Sequence, residues 1–346
     1  MNISTRTTHT MLKFRYLTLP WLLATALHLS PALAAAPSHT PMWLSDAPGL
    51  PEYAQRLRRS HGGMIEMGRG GATAKRLWLR GGDSPTQAMY LMGYEQGELE
   101  YHLTTPDNQR HRLQPFDTGH YGFGLHFDIP DEGFYSAYAI RREVRDGILH
   151  IETAKAEVLR HLCSAGHDYP AGIMEPRPLL AEAPLEVIRH RLDGENFHSR
   201  LVPGDTLQFT LYLHGEPAEG VEVRLITGQN WSKAITTGSD GVARFQLIRD
   251  YYPQWELFNR RREDPFLLIA NYRQTTDAAQ DARGYRSIHY TTTFTGQYSP
   301  PPREYQSYAY GLGLASLAFI IGTASVVVFR RRRWKKPQEE AFDEKA

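Results

Sequence analysis

The densest group of metal-binding side chains in the sequence is the segment His161-Leu162-Cys163-Ser164-Ala165-Gly166-His167-Asp168. On an extended chain His161 and Cys163 project to the same side, and Gly166 permits a turn that brings His167 back toward them. Imidazole nitrogens and a thiolate are ligands for Cu, Zn, Ni or Co, whereas Mg and Ca prefer oxygen. The spacing therefore predicts a transition-metal site at His161, Cys163 and His167, although it matches no strict zinc signature.

Two other interpretations of this segment stay open. Cys163 is the single cysteine of the chain, so no intramolecular disulfide can form. As a free thiol it would pack as a small apolar side chain beside two surface histidines. As an odd cysteine in an exported protein it would instead be available for an intermolecular disulfide. In either case the segment would hold no metal.

Other histidines extend the list of candidate metal ligands. His120 and His126 flank the start of a predicted strand at an even separation, which places both side chains on one strand face. His39 lies close to the predicted mature N-terminus. If signal cleavage follows Ala36, the new terminal amine, backbone nitrogens and the His39 imidazole would form a square-planar Cu(II) or Ni(II) site. The alternative is that each is a half-exposed polar residue that binds no metal, as most single histidines are.

Motifs of common enzyme classes are missing from the sequence. It contains no Gly-x-Ser-x-Gly elbow, no His-Glu-x-x-His pair and no phosphate-binding glycine loop before a helix. The formal net charge of +1 gives no electrostatic footprint for nucleic acid. These features favour a non-enzymatic protein without a nucleic-acid partner.

A second candidate surface is the stretch 249–264, which mixes aromatic and cationic side chains. Its aromatic residues are Tyr251, Tyr252, Trp255 and Phe258, and its arginines are Arg249, Arg260, Arg261 and Arg262. Exposed aromatics beside cations would dock a glycan, a peptide or anionic lipid. The alternative is a long loop that folds its aromatics onto the edge of a sheet.

The elements that must position these residues are strands. Residues 75–80, 87–94, 98–103, 122–129, 133–141 and 148–158 are short β-branched and aromatic runs separated by turn signals. They predict an antiparallel β domain over 72–168, preceded by an irregular lead-in over 36–71. The proline-rich stretch 169–184 predicts a linker, because prolines prevent a regular element there.

A second β domain is predicted over 185–298. Its strand candidates are 185–190, 206–213, 221–227, 232–237, 242–248, 266–272 and 288–295. Leu207, Phe209, Leu211 and Leu213 alternate with polar residues, which is typical of a strand half buried in a sandwich. The fold class is therefore mainly β, with two antiparallel β domains and a sandwich as the second.

Three motifs in this second domain carry a resemblance to a known family. They are Pro203-Gly204-Asp205-Thr206-Leu207, the turn Leu213-His214-Gly215-Glu216-Pro217 before Val221-Glu222-Val223, and the hairpin 237–245 with Ser239-Asp240-Gly241-Val242-Ala243. Over about residues 186–275 the chain resembles the Ig-like module of exported proteins associated with periplasmic nickel and cobalt uptake. Similar hairpins occur in prealbumin-like sandwiches. The resemblance implies an Ig-like or prealbumin-like sandwich, a role in metal handling, and a metal-binding histidine near the mature N-terminus, a place that His39 would fill.

The two ends of the chain predict its location. Residues 308–329 carry no charge and are long enough to span a membrane, and the six cations among 330–336 that follow would stay in the cytoplasm. Residues 1–35 have the basic start, apolar core and small residues of a cleaved signal peptide. We expect a single-pass inner-membrane protein with an exported N-terminal part and a basic cytoplasmic tail over 330–346.

One face of the predicted transmembrane helix carries Gly311, Ala315, Ala318 and Gly322. Small residues at this spacing allow another helix to approach closely, in a second copy or in a partner such as a transporter. The sequence as a whole thus predicts a membrane-anchored accessory protein of Ni, Co, Cu or Zn handling. The alternative is an Ig-like surface protein that binds a protein or a glycan.

Overall fold

A computed structural model of the chain describes residues 40–46, 65–67, 73–86, 89–90, 99–117, 123–161, 174–175, 179–251, 263–275 and 284–334. These residues form several β-sheets and a C-terminal helix, which confirms the predicted mainly β class. The predicted signal peptide, His39, His120, Cys163 and His167 lie outside the described residues.

The described strands follow one another along the chain at short intervals. They are β1 Met42–Ser45, β2 Ile65–Met67, β3 Thr73–Gly81, β4 Met89–Tyr90, β5 Leu99–Thr104, β6 Arg110–Leu113, β7 Phe116–Asp117, β8 Phe123–Asp128, β9 Gly133–Arg145, β10 Ile148–Arg160, β11 Leu185–Arg189, β12 Thr206–Leu213, β13 Glu216–Pro217, β14 Glu222–Thr227, β15 Ser232–Thr236, β16 Val242–Gln246, β17 Asp264–Thr275 and β18 Ser287–Tyr298. Most of them match a predicted strand to within a few residues at each end.

A central eight-stranded sheet runs in the order β15-β14-β17-β18-β10-β9-β5-β6. Its middle pair, β10 and β18, is parallel and extends from Ile148 opposite Ser287 to Ala156 opposite Thr295. The other neighbours in this sheet are antiparallel. Strands from before and after the predicted linker therefore share one sheet, while the division into two domains stays a prediction.

Two smaller sheets complete the described β structure. One has the order β1-β3-β8-β7, with β2 and β4 also paired to β3, and the other joins β11, β12, β13 and β16. The alternating residues Leu207, Phe209 and Leu211 of β12 are fully buried, as the sequence pattern predicts. They share a core with residues of β14, β17 and β18, so the small sheet packs on the central one.

The predicted irregular lead-in contains two strands that the sequence pattern did not predict. Strand β1 has only four residues, too few for a clear alternation, and pairs with β3. The hydroxyl groups of Thr293 and Thr295 on β18 donate hydrogen bonds to the carbonyl oxygens of Met42 and Leu44, both at 2.8 Å. Strand β1 is thus held by long-range contacts with the central sheet.

A buried polar network ties β11 to the central sheet. The Glu186 carboxylate accepts hydrogen bonds from Tyr138 Oη at 2.7 Å, from Lys155 Nζ at 2.8 Å and from the Leu180 backbone at 2.6 Å. Lys155 also donates to the Val187 carbonyl oxygen at 2.8 Å. Because Leu180 belongs to the end of the predicted proline-rich linker, this end of the linker is fixed to the sheet.

Helix α1, Pro302–Arg333, covers the predicted transmembrane segment. Pro302 stands at its first turn, where a missing backbone N–H costs nothing, and Arg330, Arg331, Arg332 and Arg333 form its last turn. The section Tyr310–Arg333 is 24 residues long and apolar enough to cross a membrane. At about 1.5 Å per residue, it exceeds a hydrocarbon core of about 30 Å.

Candidate metal site

The structure brings His161 together with a histidine that the sequence did not single out. His161 directly follows β10, and His198 lies in the connection between β11 and β12. Their Nε2 atoms are 3.2 Å apart, and their rings meet edge to face with centroids 4.6 Å apart. Two imidazole nitrogens thus converge on one point near the surface.

Local hydrogen bonds position His198. The Asn196 side-chain oxygen accepts a hydrogen bond from the His198 backbone N–H at 2.9 Å, and the Asn196 carbonyl accepts one from the Ser199 N–H, also at 2.9 Å. Asparagine favours such turns because its short side chain can bond the backbone two residues on. These local backbone bonds therefore hold the turn that carries His198.

Ionic contacts fix the start of the same connection. Glu195 accepts two hydrogen bonds from the Arg189 guanidinium, at 3.0 and 2.5 Å, and a third from the Leu192 backbone at 2.8 Å. Burial alone would raise the pKa of Glu195, but the hydrogen bonds and charge of Arg189 outweigh it and hold that pKa below its ordinary value. The charged Glu195 carboxylate thus holds the connection against β11 through Arg189.

The surroundings of His161 determine which of its nitrogens faces His198. Glu132 Oε1 lies 3.6 Å from His161 Nδ1, and the Phe197 ring lies beside the imidazole with centroids 5.3 Å apart. A carboxylate at Nδ1 favours the tautomer with the proton on that nitrogen, which leaves the Nε2 lone pair for a metal. The side chain of His161 is only 10% exposed, so its orientation is set by packing.

The spacing of the two Nε2 atoms suits a shared metal ion. With a metal–nitrogen bond of about 2.0–2.1 Å, a separation of 3.2 Å corresponds to a ligand–metal–ligand angle of roughly 100°. That angle lies between the ligand–metal–ligand angles of tetrahedral and square-planar coordination. Sites for Zn, Cu, Ni and Co adopt one or the other of these geometries. Without metal, the same separation permits a hydrogen bond from one ring to the other.

The pair supplies two ligands and leaves the rest of the coordination sphere to other groups. Within the part of the chain that the structure describes, no group of three His, Cys, Asp or Glu side chains is arranged to hold a metal. Cys163 and His167 follow His161 by two and six residues in the sequence and lie outside the described residues. Their predicted role as ligands stays a prediction.

The structure places His126 in a different environment. It is exposed on β8, its ring centroid lies 5.5 Å from that of Phe116, and its strand neighbour across the sheet is Arg76. The other histidines predicted as ligands, His39 and His120, lie outside the described residues. Among the predicted ligands, His161 is the one for which the described residues supply a histidine partner.

Part of the second candidate surface is packed inside the molecule. Tyr251 is buried, and its ring centroid lies 6.2 Å from that of Tyr298. The Arg249 guanidinium lies over the Tyr251 ring at 5.8 Å. This favours the interpretation that the stretch folds an aromatic residue onto the sheet, while residues 252–262 lie outside the described part.

Comparison with known proteins adds no relative. No protein-family model matches the chain, and no curated protein matches it. The similarity to nickel and cobalt uptake proteins therefore rests on the three sequence motifs alone.

Proposed function

We propose that this protein is a membrane-anchored, non-enzymatic protein of the cell envelope that binds a transition metal ion through His161 and His198. The observation that carries the proposal is the 3.2 Å separation of the two Nε2 atoms, with Glu132 at the opposite nitrogen of His161. Histidines that bind metal commonly have a carboxylate near their second ring nitrogen, and Glu132 lies 3.6 Å from that nitrogen of His161.

The chemistry of the ligands limits which metal ions the site would bind. Two neutral imidazoles suit Ni, Co, Cu or Zn, and a thiolate from Cys163 would favour the softer Cu(I) and Zn. The resemblance to an uptake family supports a role in delivering or sensing metal rather than in catalysis. A transporter that meets helix α1 is the corresponding partner within the membrane.

The direct test is a metal titration of the full-length protein. The protein is purified in detergent, treated with a chelator, kept reduced, and dialysed against Ni, Co, Cu or Zn at neutral pH. We expect about one equivalent of at least one of these metals at micromolar concentration, read by elemental analysis. Protein that retains no metal under these conditions would contradict the proposal.

Orientation in the membrane is tested separately. Alkaline phosphatase is active only when it is exported, so a fusion after Pro302 is expected to be active and a fusion after Lys336 inactive. The physical reason is that Arg330–Arg333 and the following lysines resist transfer across the membrane. The reverse pattern of activities would place the metal site in the cytoplasm and exclude an envelope role.

A further inference from the structure

Helix α1 carries a shallow groove of about 500 Å³ along one face. Its lining begins in the middle of the section that could span a membrane and ends in the basic last turn: Ile321, Ala324, Ser325, Val328, Phe329 and Arg332. Residues at spacings of three and four share one side of a helix. Four of the six are apolar, so the groove has hydrocarbon walls that end at a guanidinium.

The groove has the length of one leaflet of a bilayer. Ile321 lies near the midpoint of the section Tyr310–Arg333, and Arg332 lies at its end. At about 1.5 Å per residue, the distance from Ile321 to Arg332 is roughly 16 Å, about half of a hydrocarbon core of about 30 Å. An acyl chain that ends at the bilayer centre would therefore follow the groove and place its headgroup beside Arg332.

The charge at the end of the groove favours an anionic headgroup. All four residues of the last turn, Arg330–Arg333, are exposed arginines. They outweigh the negative end of the helix dipole, which is equivalent to about half an elementary charge. Over the whole stretch 330–346 the sequence has seven lysines and arginines and four acidic residues. Clusters of this kind beside a transmembrane helix attract anionic lipids.

Arg332 is the arginine that belongs to the groove. It stands one helical turn after Val328, whereas Arg331 lies about 100° away around the helix and does not line the groove. The Arg333 guanidinium lies over the Phe329 ring, 4.8 Å from its centroid. Because a guanidinium can bind a phosphate through two parallel N–H bonds, Arg332 offers a defined contact at the end of the apolar walls.

We propose that this groove binds one anionic phospholipid, with an acyl chain along Ile321, Ala324 and Val328 and the phosphate at Arg332. The inference rests on the membrane anchoring in the proposed function and is independent of the metal site. In the proposed orientation the lipid belongs to the cytoplasmic leaflet. The groove lies roughly 80° around the helix from the face of small residues predicted from the sequence, so a bound lipid leaves that face free for another helix.

The test compares phosphatidylglycerol, which is anionic, with phosphatidylcholine, which is zwitterionic, at identical acyl chains. Full-length protein in detergent is equilibrated with an equimolar mixture of the two lipids, and native mass spectrometry counts the lipids retained on each chain. We expect one retained phosphatidylglycerol per chain. Arg332→Gln is expected to lower this retention about fivefold and to leave that of phosphatidylcholine unchanged, since the basic residue at the phosphate is lost.

Arg331→Gln is the matched control, because it removes the same charge outside the groove and should retain phosphatidylglycerol nearly like the wild type. Ala324→Phe keeps all four arginines but fills the groove, and should also lower retention. Equal retention of the two lipids, equal losses in Arg331→Gln and Arg332→Gln, or an unaffected Ala324→Phe variant would overturn the proposal. A failure of membrane anchoring is distinguishable, since the chain would then stay in solution without detergent and retain neither lipid.

Discussion

Glu186→Ala is expected to lower the free energy of unfolding by roughly 3–5 kcal/mol, because it leaves a buried ammonium without its counter-ion. Lys155 and Glu186 are both about 1% exposed, and their charged atoms are 2.8 Å apart. Burial alone would lower the pKa of Lys155, but the Glu186 carboxylate outweighs it and holds that pKa above its ordinary value. The Glu186 carboxylate therefore stabilises the charged form of Lys155 inside the protein.

The loss extends beyond the ion pair. Glu186 also accepts hydrogen bonds from Tyr138 and from the Leu180 backbone, so its removal leaves two further buried donors unsatisfied. Burial raises the pKa of Tyr138, so its hydroxyl keeps its proton and needs an acceptor. Each unsatisfied buried donor adds about 1–3 kcal/mol, although such terms do not add independently.

Urea unfolding of the full-length protein in detergent, followed by circular dichroism, measures the effect. Glu216→Ala is the matched control, since Glu216 is exposed on β13, and we expect it to change the unfolding free energy by less than about 0.5 kcal/mol. The double variant Lys155→Met with Glu186→Ala should recover part of the loss, because the unpaired charge is removed. A Glu186→Ala protein as stable as the wild type would show that water replaces the carboxylate.

Short-range patterns predicted much of this fold. The sequence predicts strand β12 over 206–213 and it occupies Thr206–Leu213, because leucine and phenylalanine recur at every second position and turn signals lie at both ends. Strand β1 was not predicted, since four residues carry too little pattern and its partners on β18 lie about 250 residues away in sequence. The parallel pairing of β10 with β18 joins positions 139 residues apart and also has no local signal.

The pairing of charged residues inside strands could not be predicted from the sequence either. Lys155 and Glu186 each break the apolar pattern of their strand, and only the fold shows that each is the partner of the other. His198 was missed for a related reason. It lies 37 residues after His161 and stands in a turn made by Asn196, so no spacing rule connects the two histidines.

His198→Ala is expected to remove most of the stoichiometric transition metal from the protein, because a metal held by few side chains loses one of them. His198 is exposed, so the substitution should leave the thermal transition nearly unchanged. Glu132→Gln keeps the size of the side chain and removes the charge near His161 Nδ1, and we expect about 10- to 100-fold weaker binding. Elemental analysis and competition with a chelator of known affinity measure both effects.

His111→Ala is the control for this series, since His111 is an exposed histidine on the edge strand β6. It should bind metal like the wild type.

Imidazoles bind metal only when neutral, so wild-type affinity should fall as the pH is lowered and protons compete for Nε2. Cys163→Ser then tests whether the thiolate is a metal ligand. A further loss of metal would place the thiolate beside His161 and His198, whereas no loss would limit the site to nitrogen and oxygen ligands. If His198→Ala instead retains the metal content and affinity of the wild type, the metal lies elsewhere in the chain, and the contact between the two rings is only a hydrogen bond.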